Sequence, residues 1–273
     1  MKQRVSDHTR ATGSHPGISA RFQRQIAVEG FGVESQLSLR SSTALVAGIG
    51  GLGGTAALYL GAAGIGRLVL CHPGVAEEPD LNRQILLTAD QVGESRVINA
   101  AEAISLRYPD VEVIAIDAGV ASPAVSEWLV NSDVVLDCRH NFAERLQLNR
   151  MCISAGIPLV EAAMDAAWGY VTVIRGGITP CLECIVGPGD PGWDPLGFPV
   201  IGVAAGTIGC LAAAEAIKVL TDWGTALEST MFTLDLADMT GHRFKLSRDT
   251  SCLTCSHIPS ASSNDSGRRV RSG

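Results

Sequence analysis

Two groups of residues in this chain carry chemistry by their type and spacing. The first is glycine-rich: Gly48-Ile49-Gly50-Gly51-Leu52-Gly53 satisfies G-x-G-x-x-G. Glycines at that spacing let the backbone turn tightly and approach a phosphate, whose charge then meets the N-terminus of the helix that follows. The second is a pair of C-x-x-C knuckles, Cys181-Leu182-Glu183-Cys184 and Cys252-Leu253-Thr254-Cys255. Four thiolates in two such pairs suit a tetrahedral zinc with no open coordination position, which makes the expected ion structural. A redox-active pair or four unliganded buried thiols are the alternatives. The other cysteines, Cys71, Cys138, Cys152 and Cys210, lie in apolar or strand-like settings that suit inert buried thiols.

A glycine loop of this kind has meaning only between a strand and a helix. Here the short apolar run Thr43–Ala47 precedes it and the small-residue stretch 52–63 follows. Further apolar runs at 67–70, 111–116, Val134–Asp137 and 158–160 alternate with helical patterns at 95–106 and Phe142–Ala155. Strands alternating with helices predict a Rossmann-like, doubly wound α/β fold with a mostly parallel sheet. Past Glu161 the rhythm changes. Residues Trp168–Ile174, 231–234 and 244–246 read as hairpin-like strands, separated by one long helix over 202–220. The expectation is a single domain over 19–255 with a mixed, antiparallel C-terminal extension carrying the zinc site. Residues 1–18 and 256–273, polar and rich in Ser, Gly and Arg, are expected to be disordered tails.

The second strand ends Leu70-Cys71-His72-Pro73-Gly74, without the carboxylate that dinucleotide binding calls for. A nicotinamide-dependent oxidoreductase is thereby the weakest reading of the loop. The doubled glycine, G-x-G-G-x-G, resembles instead the ThiF/MoeB/HesA family, relatives of ubiquitin-activating enzymes. So do the opening Arg21-Phe22-Gln23-Arg24-Gln25-Ile26, Leu81-Asn82-Arg83-Gln84, Gly93-Glu94-Ser95-Arg96-Val97, Val135-Leu136-Asp137-Cys138 with Asn141, and Glu215-Ala216-Ile217-Lys218. The resemblance implies ATP-dependent adenylation of the C-terminal carboxylate of a ubiquitin-like sulfur carrier or a peptide, with release of pyrophosphate. It places Arg24, Arg83 and Arg96 around the phosphates, with Gly48, Gly50, Gly51, Gly53, Asp80, Asp137 and Asn141 lining the nucleotide site. It also implies Mg²⁺, a structural Zn²⁺ on the four cysteines, and a homodimer in which Arg24 reaches the neighbouring subunit's site. Relatives that form a thioester or persulfide draw a cysteine from the segment at 185–201, which has none here.

Several positions depart from that pattern. His140 stands where the family has a magnesium-holding aspartate, and neutral imidazole is a poor ligand for a hard, oxygen-seeking cation. A protonated His140 would supply positive charge, and Asp137 is the carboxylate nearest in sequence to compensate. Cys71 occupies the position of the ribose-binding acid, Arg96 that of a lysine, and Asp80 that of an asparagine. His72 reads first as a plain loop residue, with a side chain facing the nucleotide pocket as the alternative. A nucleotide- or partner-binding member without adenylation activity is therefore the runner-up.

Composition sets the outer limits. With 273 residues, 46% hydrophobic and 18% charged, the chain has enough apolar material for a deep core. A net charge of −7 argues against a nucleic-acid binder relying on phosphate contacts. The N-terminal segment lacks an apolar signal core and no run reaches the ~20 residues of a membrane span, so a cytoplasmic protein without membrane partners is expected.

Overall fold

The computed structural model describes residues 19–189 and 199–258. Of the tails expected at 1–18 and 256–273, residues 1–18 and 259–273 lie outside the described residues, as do residues 190–198 of the cysteine-free segment. One eight-stranded sheet runs through the chain. Five parallel strands come first: β1 (Thr43–Ala47), β2 (Arg67–Cys71), β3 (Glu112–Ile116), β4 (Val134–Asp137) and β5 (Leu159–Asp165). Then β6 (Trp168–Ile174), β7 (Thr230–Asp235) and β8 (Thr240–Lys245) extend it antiparallel, in the order β3-β2-β1-β4-β5-β6-β7-β8. The chain reverses its winding between β1 and β4, and ligands of open α/β sheets bind in the crevice at such a switch point.

Among the described residues, eight α-helices accompany the sheet: α1 (Gln23–Ile26), α2 (Gly32–Arg40), α3 (Gly51–Ala63), α4 (Arg96–Arg107), α5 (Pro123–Val130), α6 (Phe142–Ala155), α7 (Leu182–Val186) and α8 (Gly202–Thr221). Side chains alternate across each strand. Val46, Leu70, Leu136 and Val160 therefore pack into one core layer with residues of α3, α4 and α8. Leu45, Ala47, Val69, Cys71 and Val135 pack into the other with residues of α5 and α6. Helix α8 is long and apolar enough to cross a membrane, yet half of it is buried inside the molecule. Its small residues allow close contact with α3: a Cβ on Gly209 would lie 2.4 Å from the Leu52 carbonyl oxygen. That contact seats the start of α3, and so the glycine loop, against the first half of α8.

The outer strands differ from the sequence reading. β5 continues to Asp165 beyond the expected end at 160, and β8 occupies 240–245 rather than 244–246. β8 is an exposed edge with the sequence TGHRFK, so no buried face marks its period.

Candidate functional site

The glycine loop sits where the strand–helix reading puts it, at the carboxyl end of β1. Gly48 has φ +98°, and any side chain there would lie 2.5 Å from the Cys138 carbonyl oxygen. A Cβ on Gly53 would lie 1.8 Å from the Gly48 carbonyl oxygen, so the first turn of α3 closes directly over the loop. Above Gly50 nothing lies within 4 Å. Gly50 is the N-cap of α3 and offers no side-chain cap, leaving the first amide groups of the helix to an incoming anion. The loop is pinned from the side by His72, which is buried and accepts a 2.8 Å hydrogen bond from the Ile49 amide on Nδ1. Burial, followed by the charges of Arg139 and Arg96, pushes its pKa down to about 2. His72 is thus a neutral support of the loop, not the plain loop residue expected.

Two of the three expected arginines meet beside the loop. Asp80, buried, accepts from Arg83 at 3.1 Å on one carboxylate oxygen and forms an ion pair with Arg96 at 3.3 Å on the other. The same carboxylate accepts from the Glu77 amide, fixing the turn that carries it. Arg83 also donates to the Pro79 carbonyl at 2.8 Å and to Asn82 at 2.9 Å, and Arg96 donates to the Val75 carbonyl at 3.1 Å. The Arg83 stem lies against the loop, with its Cβ 3.0 Å from where a Cβ on Gly51 would stand. Arg24 is exposed on α1, which packs on α2, and among the described residues it makes no ion pair with this cluster.

The end of β4 supplies the rest. Ile116, Cys71, Ala47, Asp137 and Glu161 form one row across the carboxyl edge of the sheet. Alternation sends Cys71 into the layer under α5 and α6, where burial pushes its thiol up to about 12. It offers no oxygen to a ribose. Asp137 has no exposed surface; it accepts 2.9 Å from the Arg139 amide and lies 3.6 Å from Arg145 Nε. Burial and then the neighbouring Glu161 raise its pKa well above the ordinary range. A carboxyl so enclosed does not suit Mg²⁺, which needs open oxygen ligands and keeps water in its shell. Asn141 is committed to capping α6, accepting from the Glu144 amide at 2.8 Å and donating to its carboxylate at 2.5 Å. Burial and then Arg139 hold His140 below its ordinary pKa, which favours the neutral imidazole.

The positive group at this position is Arg139, which the sequence reading passed over. Its Nε and Nη2 donate to one Glu144 oxygen at 2.7 and 2.6 Å. Burial raises the Glu144 pKa, but the guanidinium outweighs it and holds the carboxyl below its usual range. The one available signal was the charge itself, since arginine immediately after a buried strand needs a partner or a ligand.

The four knuckle cysteines converge in the core layer beside α6 and α7. Their Sγ atoms lie within 4.8 Å of one another, with Cys181–Cys184 at 3.8, Cys181–Cys252 at 3.6 and Cys184–Cys255 at 3.5 Å. A tetrahedron with Zn–S of about 2.3 Å has edges near 3.8 Å, so the cluster could hold a zinc. Glu183 ties the knuckles together by accepting from Arg150 and Thr254, and Arg248 donates to the carbonyls of Gly177 and Cys255. Metal analysis of the purified chain is expected to give one zinc per chain. Cys252→Ser is expected to lose most of it and lower the melting temperature, because metal affinity here is also folding free energy. A metal-free wild type with the same melting temperature would remove the ion from the site.

Fold and site together describe a Rossmann-like α/β domain with a glycine loop at its switch point and a four-cysteine cluster that closes its C-terminal extension. The chain belongs to the ThiF family, whose model matches residues 22–254. It is 46% identical over 235 residues to the heterocyst protein HesA of Trichormus variabilis, covering 86% of this chain and 88% of that one. It is 37% identical over 239 residues to the SAMP-activating enzyme E1 of Haloferax volcanii, covering 86% and 88%. In fold it is similar to E. coli MccB crystallised with ATP, with TM-score 0.76 and 20% identity over 88% of this chain and 75% of that one.

Proposed function

We propose that this protein adenylates the C-terminal carboxylate of a small ubiquitin-like carrier protein or peptide. A carboxylate oxygen of the carrier attacks the α-phosphorus of ATP, the bond from that phosphorus to the bridging oxygen breaks, and pyrophosphate leaves with the electron pair. The observation that carries this reading is the convergence of Arg83 and Arg96 on Asp80 beside an uncapped helix start. Cations fixed there neutralise the charge that moves onto pyrophosphate, at no cost of reorganisation during the reaction. Family membership and the relationship to a SAMP-activating enzyme support it. Arg24, exposed and away from the cluster, fits a homodimer in which it serves the neighbouring subunit's site. The expected setting is the cytoplasm.

The enclosed Asp137 and the His140 substitution favour the second reading, a nucleotide- or partner-binding protein that does not adenylate. Pyrophosphate release separates the two. With ATP and a set of ubiquitin-like carriers ending in a free carboxylate, release is expected with at least one carrier and none when its C-terminus is amidated. Tight ATP binding with no release from any of them would select the second reading.

A further inference from the structure

We propose that the Arg139 guanidinium takes the place of a carboxylate-held divalent cation, so that nucleotide phosphate binds in the β1–β4 crevice without magnesium. The inference rests on the adenylation reading for its ligand and departs from it in the charge that receives the phosphates.

Position is the first argument. Arg139 follows β4 directly, across from the glycine loop, and its Cδ lies 3.2 Å from where a Cβ on Gly48 would stand. The side chain therefore lies at the switch point of the sheet, where this architecture takes its ligands. Its neighbours are the loop, His72 and His140, and its charge bears on both imidazoles.

The second argument is an unmet donor. Arg139 is 6% exposed. Nε and Nη2 share the Glu144 carboxylate, while Nη1 is shielded from solvent and has no hydrogen-bond partner among the described residues. A buried charged donor without an acceptor carries a desolvation cost that a ligand oxygen in the crevice would relieve. Glu144 holds the guanidinium in position, since Glu144 is itself fixed by Asn141 and by the Val120 amide at 3.4 Å.

The third argument is the state of the carboxylates. Asp80 is bound by two arginines, Glu144 by Arg139 and Asn141, and Asp137 is enclosed beside Arg145. None presents the free, hydrated oxygens that Mg²⁺ needs. Asp165 has one buried oxygen without a partner, but it stands four residues along β5 from Glu161, about 13 Å at the rise of a strand. Arg83, Arg96 and Arg139 are set against two carboxylates, Asp80 and Glu144, so this group carries one excess positive charge without a metal, while Arg145 is set against Asp137 and Glu161.

Calorimetric titration of the full chain with ATP, once in Mg²⁺ and once in EDTA, tests this. The expected Kd values agree within about threefold, and Arg139→Gln is expected to weaken binding by about tenfold or more in both. ATP binding only in Mg²⁺ would overturn the proposal and leave the adenylation reading standing; no binding in either would overturn both. Should Arg139→Gln fail to fold, the wild-type comparison decides alone. The double variant Arg139→Thr with His140→Asp restores the family's residues, and its ATP affinity is expected to fall by about tenfold in EDTA relative to Mg²⁺. A double variant as indifferent to Mg²⁺ as wild type would also overturn the proposal.

Discussion

Replacing Arg83 with alanine is expected to lower carrier-dependent pyrophosphate release by about 100-fold or more, the loss seen when one fixed donor to a developing charge is removed. The geometry makes this a clean experiment. Arg83 shares Asp80 with Arg96, so its removal leaves that buried carboxylate paired at 3.3 Å rather than stranded. Its other acceptors, the Pro79 carbonyl and Asn82, are on an exposed turn where water can replace it. The melting temperature of the variant is therefore expected to stay close to that of wild type while turnover collapses. Arg83→Lys keeps the charge but not the planar fork that spans Asp80 and Pro79, so it is expected to fall between the two. Unchanged turnover in Arg83→Ala would make the residue a turn-stabilising surface group and leave the phosphates to Arg96 and the helix start. A matching loss of melting temperature and activity would make its role structural.

Much of the frame that holds Arg83 was legible in the sequence, for identifiable reasons. Strands β1 and β4 are buried on both faces, so they appear as short unbroken apolar runs, and the glycine loop marks the turn between β1 and α3. The two C-x-x-C knuckles are compact signals because both ligands of each pair sit within one turn of chain. Helices α2 and α5 escaped notice because they are short and carry few buried residues to set a period. β8 was misplaced because an exposed edge strand has no apolar alternation to display. The site was harder to read than the fold. The substitution of His140 was visible as a departure, but the group that replaces the missing charge is the residue before it. Whether Arg139 turns toward the loop or toward solvent depends on the 137–139 turn, which is set by residues far along the chain. His72 illustrates the same limit, since its role is defined by an amide 23 positions away.

That turn is held by a buried ionic network, and Arg145→Leu is expected to destabilise the protein by about 3–5 kcal/mol, the cost of leaving a buried charge without its partner. Arg145 donates to Glu161 and, at 2.7 Å, to the Tyr170 hydroxyl, which in turn donates to Glu161 at 3.2 Å. With Asp137 at 3.6 Å, two carboxylates share one guanidinium in a region with almost no solvent. Removing the cation leaves Glu161, and Asp137 wherever it is ionised, without a counter-charge. For a chain of this size the melting temperature is expected to fall by roughly 6–20 °C, read by calorimetry or circular dichroism. Asp137→Asn is expected to behave differently. Burial and then Glu161 hold the Asp137 pKa well above its ordinary value, so folding shifts it toward the protonated form, which asparagine imitates. A group whose pKa is raised by folding contributes stability that is complete below its unfolded pKa and is lost as pH rises through the folded one. Wild type is therefore expected to lose stability relative to Asp137→Asn as pH climbs from about 4 through the raised value. Parallel curves for the two proteins over that range would show that Asp137 is ionised in the native network. In that case the Arg139 amide at 2.9 Å and Arg145 together, rather than a retained proton, would fix the turn that aims Arg139 at the crevice.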